Sequence, residues 1–156
     1  MSKMDDLKAK LQEQNESEKK AKQRTEQDLE NWLTALHRLY DSIENMLEPL
    51  NEQGVTTRRS FETKTEFNSQ VETPILHIKN KDQEIKSNPI FYSVPYKARA
   101  DFEVGKKARL ILVWYGEEKS WKMLISDSQG RTQGETADFT EDDLAVFLDN
   151  AFPWTG

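Results

Sequence analysis

His37 and His77 are the only histidines in the chain, and there is no cysteine. Any nucleophilic or metal chemistry must therefore be assembled from imidazole, carboxylate and hydroxyl groups. No H-x-x-x-H or comparable ligand spacing is present, so a metal site has no visible frame. His37 falls outside the strict heptad positions of its segment, and His77 alternates with Ile75 in a strand-like run. Both read as structural histidines. Asp138, Glu141, Asp142 and Asp143 are dense enough to suggest a cation or a paired acid and base. Their setting around Thr140 is that of a helix capping box, and neighbouring acidic residues fan around a helix rather than converge. Ser120 and Ser126 have no base in view, and Asp127-Ser128-Gln129-Gly130 lacks the repeated oxygen ligands and final Glu of a calcium loop. Phosphate cradles, nucleophile elbows and dinucleotide fingerprints are absent from the sequence. The expectation is a protein without enzymatic activity, cofactor or metal.

Three residue sets could instead bind a macromolecule. Trp32, Leu36, Tyr40, Ile43 and Leu47 belong to one apolar stripe, suited to a protein partner or a second copy and equally suited to covering the chain's own sheet. Arg58 and Arg59 read as a loop pair, and Lys97, Arg99, Lys106, Lys107 and Arg109 cluster around one turn with Phe91, Tyr92 and Tyr96 nearby in sequence, a mixture of charge and stacking surface that nucleic acid uses. Asp101 and Glu103 interleave with them, and basic side chains also line solvated strand edges. Asp138, Glu141, Asp142 and Asp143 could face a basic protein surface, as an inhibitor or immunity-type protein would.

The elements that would position these groups follow from periodicity. Residues 3–28 are rich in Lys, Glu, Gln and Ala with no Gly or Pro, and pairs such as Glu16–Lys20 and Glu18–Lys22 each support a helix by about 0.3 kcal/mol. Without a broad apolar stripe, this segment is either a polar extension of the next helix or disordered. Leu29, Leu33, Leu36, Tyr40, Ile43, Leu47 and Leu50 are then spaced alternately by four and three. Trp32, Leu39 and Met46 widen the stripe to three positions in seven, the width of a helix on a globular core rather than a two-stranded coiled coil. Pro49 and Gly54 end it between Glu48 and Gln53.

Beyond Gly54 the period becomes two. Phe61, Thr63, Thr65 and Phe67 alternate as in a half-buried strand. Further short runs cover 75–79, starting after Pro74, and 90–94, bounded by Pro89 and Pro95. Strands follow at 98–104, at 108–115 with apolar residues on both faces, at 121–126 and, more weakly, near 131–137. Short turns between them predict an antiparallel meander of five to six strands. The alanines at 98, 100 and 108 set among large aromatics would leave a pocket if the sheet bound an apolar ligand. Thr140 and Asp143 then open a helix of about ten residues with Leu144, Phe147, Leu148 and Ala151 on its buried side, and Phe152 and Trp154 fold back on the core.

Composition bounds the rest. The net charge of −6 divides into −3 over residues 1–50, +3 over 51–131 and −6 over 132–156, far from the strongly basic footprint of a nucleic-acid-binding domain. No apolar run is long enough for a signal peptide or a membrane span, and the lack of cysteine suits a reducing compartment. The expected protein is an α+β domain over 29–156 behind a polar arm over 1–28. It is expected to be cytoplasmic and to act by protein–protein interaction, a homodimer being one form that would take. Nucleic-acid binding and binding of a basic protein surface are the alternatives.

Overall fold

The structure, a computed structural model, describes residues 2–66, 69–91, 96–105, 108–116, 121–126 and 132–152. It is α+β: a long helix α1 (Lys3–Leu47), a short 3-10 helix (Glu48–Gln53), strands β1 (Val55–Glu66), β2 (Ser69–Asn80), β3 (Gln83–Phe91), β4 (Ala98–Val104), β5 (Ala108–Trp114), β6 (Lys122–Ser126) and β7 (Thr132–Asp138), and helix α2 (Glu141–Ala151). Backbone contacts divide the chain into two compact units, 1–31 and 32–156. No helix among the described residues is long and apolar enough to cross a membrane.

The first unit is helical throughout its described length from Lys3, as its Lys, Glu, Gln and Ala content allows. Gln14 donates to Glu18 (3.4 Å) and Gln27 to Asn31 (3.0 Å), both one turn apart. Ser2 accepts from the backbone N–H of Asp5 at the helix start (3.2 Å).

In the second unit, α1 stops at Leu47 because Pro49 cannot continue its hydrogen-bond ladder. Gly54, at φ +96°, turns the chain into β1 and donates its N–H back to Leu50 and Asn51. Seven strands, rather than five to six, then run in chain order as one antiparallel meander with β1 and β7 at its edges. The run near 131–137 is a full strand paired with β6, and Gln83–Asn88 extends β3 well before Pro89.

One face of the sheet carries the core. Phe102 and Leu112 project from it, Trp32 meets Phe91 with ring centroids 4.9 Å apart, and Phe147 of α2 meets Phe102 at 6.4 Å. Trp121 donates its indole N–H to the carbonyl of Ala35 (2.9 Å), tying the start of β6 to α1. Ala98 and Ala100 have no exposed surface. On the opposite face Tyr96, Ile111, Val113 and Leu124 form a smaller cluster, flanked by Tyr115, so β5 is buried on both sides. Phe61 alternates as expected but sits 59% exposed, because it lies on the edge strand.

Pro74 and Pro89 fall inside strands rather than at their ends, for a physical reason. The β2–β3 register pairs Asn80 with Gln83 and His77 with Lys86. Continued, it would set Pro74 opposite Pro89, two residues with no N–H to give, and the ladder opens there instead. Side chains satisfy the released backbone. Ser87 Oγ accepts from the Leu76 N–H (3.0 Å), Tyr40 donates to the Pro74 carbonyl (3.0 Å), and Lys64 Nζ donates to the Pro89 carbonyl (2.6 Å).

Candidate functional site

The stripe expected to meet a partner lies inside the chain's own core. Trp32, Leu36, Tyr40 and Ile43 have no exposed surface and Leu47 has almost none. A stripe three positions wide serves a sheet as well as a partner, and here α1 lays it on β2 and β3. Tyr40 shows the fit: its hydroxyl bonds both Pro74 and Ser87 Oγ (2.6 Å), and burial pushes its phenol well above the ordinary value.

The basic set does not converge. Arg58 and Arg59 are neighbours on a strand, so they project to opposite faces. Arg59 lies under α1, bidentate to Glu44 (2.9 and 3.0 Å), with Asp41 at 2.5 Å and the ring of Tyr40 at 5.7 Å. It also donates to His37 Nδ1 (3.0 Å), and its bonds to Glu44 lead in holding its charge. Arg58, on the other face, reaches Glu84 (3.4 Å). Arg99 is bidentate to Asp101 (2.7 and 2.9 Å), and Arg109 pairs with Glu103 (2.7 Å). A phosphate would have to displace a carboxylate at each of these four arginines. Lys97 is half-buried, with its backbone N–H on the Trp114 carbonyl (2.8 Å). Lys106, Lys107 and Tyr92 lie outside the described residues, as do Phe67, Pro95, Ser120, the 127–130 turn and Trp154.

Among the acidic set, Asp138 is ion-paired with Lys122. Asp143 closes the capping box: it accepts from the Thr140 N–H (2.9 Å), and its own N–H reaches Thr140 Oγ1 (3.3 Å). Glu141 and Asp142 are exposed in the first turn of α2. No group of three or more metal-ligating side chains occurs among the described residues.

One constellation is absent from the sequence reading. On the face away from α1, Ser60 of β1, His77 of β2 and Glu84 of β3 form a line across three adjacent strands. Ser60 Oγ is 2.6 Å from His77 Nε2, and His77 Nδ1 is 2.6 Å from Glu84 Oε1. The β1–β2 register sets Arg58 opposite His77 and Ser60 opposite Ile75, so Ser60 reaches the imidazole diagonally. His77 is 7% exposed, Ser60 is half-buried, and Glu84 is exposed. The bond to His77, with Arg58 beyond it, holds the Glu84 carboxyl below its usual range. An ionised carboxylate only accepts, so Nδ1 carries a proton; when the imidazole is in its neutral form, Nε2 is then the acceptor and Ser60 the donor. This is the polarity of a serine–histidine–carboxylate relay. The sequence signal that leads to it is the alternation of Ile85 and Ser87 with charged residues, which marks β3 back to Gln83.

Comparison with protein-family models, with curated proteins and with solved structures found no match.

Proposed function

We propose that the chain is a cytoplasmic binding protein of adaptor type that associates with a second copy of itself through the first unit. The observation that carries this is the exposure of Met4 (71%), Leu7 (50%) and Leu11 (49%), spaced three and four apart along one side of a continuous helix. Large apolar side chains spaced in this way resemble a coiled-coil seam more than scattered surface residues. Burying each fully against a partner would contribute about 1.5–3 kcal/mol. Residues 3–28 hold seven basic and seven acidic side chains, so net repulsion does not oppose two copies. Isolated polar helices are marginal in water, and association supplies the stabilisation they lack.

Amide hydrogen exchange tests the idea. Residues 3–28 should be protected in concentrated solution and lose protection in an L7D/L11D variant. Equal, fast exchange in both would sink it. Pairing of four arginines with carboxylates leaves the nucleic-acid reading with less support. Exposed Glu141 and Asp142 keep a basic protein surface as the second reading, in which charge reversal at Asp142 slows association.

A further inference from the structure

We propose that Ser60 is an activated nucleophile, with His77 as its general base and Glu84 orienting the imidazole, and that the site accepts acyl groups from carboxylic esters. This goes beyond the binding role and does not depend on it.

Three features of the geometry support the assignment. The first is direction: with Glu84 holding the proton on Nδ1, Nε2 of the neutral imidazole takes a proton, and the group aligned to give it is the Ser60 hydroxyl at 2.6 Å. The second is access. The base is almost wholly covered while the nucleophile is half-buried on β1, the edge strand of the sheet, where a substrate can approach without opening the core. The third is charge. On the same face Ser60 is flanked along β1 by Arg58 and Glu62, and Lys86, opposite His77 on β3, reaches across to Glu62 (3.5 Å). Arg58 and Lys86, each ion-paired with a carboxylate yet 60% and 62% exposed, place two cations on the face of the sheet that carries the hydroxyl, and turning from those carboxylates would let them meet the negative charge that develops on an attacked carbonyl. Every second backbone N–H of an edge strand also points away from its neighbour and offers a further donor.

In the first step Ser60 Oγ bonds the ester carbonyl carbon and its proton passes to His77 Nε2. The carbon–oxygen bond to the leaving group then breaks, and the departing alcohol takes that proton. In the second step water attacks the acylated serine, giving its proton to His77. Ser60 leaves as the hydroxyl by recovering that proton, and a carboxylic acid is released.

The test uses the full chain with a fluorophosphonate probe, which forms a Ser–O–P bond and expels fluoride, read by intact mass and peptide mapping. One adduct is expected, on Ser60, absent from S60A. Labelling should slow by at least about tenfold in H77Q and in E84Q, since general-base assistance is commonly worth more than that. Release of nitrophenol from a p-nitrophenyl ester should fall in the same order. Because Glu84 is exposed, E84Q decides the matter if H77Q does not fold. An unlabelled Ser60, labelling unchanged in folded E84Q, or adducts spread over other serines would overturn the proposal. The L7D/L11D variant should label at the unaltered rate, which separates failure of this site from failure of self-association.

Discussion

Ser87 holds the opening between β2 and β3 together, accepting from the Leu76 N–H and bonding the hydroxyl of Tyr40 on α1. Removing the Tyr40 hydroxyl leaves the buried Pro74 carbonyl without its donor while the ring still fills its space. Tyr40→Phe should therefore cost about 1–3 kcal/mol in urea unfolding, with no change in the slope of the transition. Lys64 occupies the other side of the opening, and burial lowers the pKa of its ammonium. Glu84 gives a pH signature. Its folded pKa is depressed, first by the His77 bond, so its contribution is present above the ordinary glutamate range and is lost as pH falls through the folded value. The difference in urea midpoint between the unaltered chain and E84Q should be largest near neutrality and close on acidification. A difference that grew in acid would contradict the ion-paired Glu84. None of these contacts could be read from spacing alone, because each depends on which residues face one another across a ladder.

At the scale of elements much more was legible. The alternating four–three stripe gave the helix, and Pro49 with Gly54 gave its end, because each feature acts through local backbone geometry. The capping box at Thr140 and Asp143 is local in the same sense, and both of its bonds are present. Thr140→Ala should cost about 1 kcal/mol, measurable as a lowered thermal midpoint, while an exposed change such as Val146→Ala should cost much less. Strand limits were harder to read. Pro74 and Pro89 look like boundaries in sequence, yet both lie within strands because the ladder between them has opened. Gln83–Asn88 is mostly polar and has no apolar run to mark it, although its alternation is that of a strand with one wet face. That omission hid the relay, since the hairpin from β2 into β3 is what brings Glu84 beside His77. Arg58 and Arg59 show the converse: they read as a loop pair, yet they lie within β1, where the period of two sends them to opposite faces.

At the scale of the molecule, the two units differ in what their surfaces leave open. In residues 32–156 the apolar stripe of α1, the inner face of the sheet and the buried side of α2 are occupied by one another. In residues 1–31 the described side chains up to Gln27 are all exposed, and the apolar ones among them include Met4, Leu7 and Leu11. Under the proposed self-association, helicity of the first unit should rise with protein concentration, because a polar helix that is marginal alone gains order when bound. Circular dichroism at 222 nm across a dilution series would register the change. The measurement that bears most directly on self-association is the solution mass of the full chain by light scattering after size-exclusion chromatography, beside that of L7D/L11D. A mass of two copies that falls to one in the variant is the predicted result. A single-copy mass for the unaltered chain at every concentration, or a two-copy mass that survives both aspartates, would contradict it.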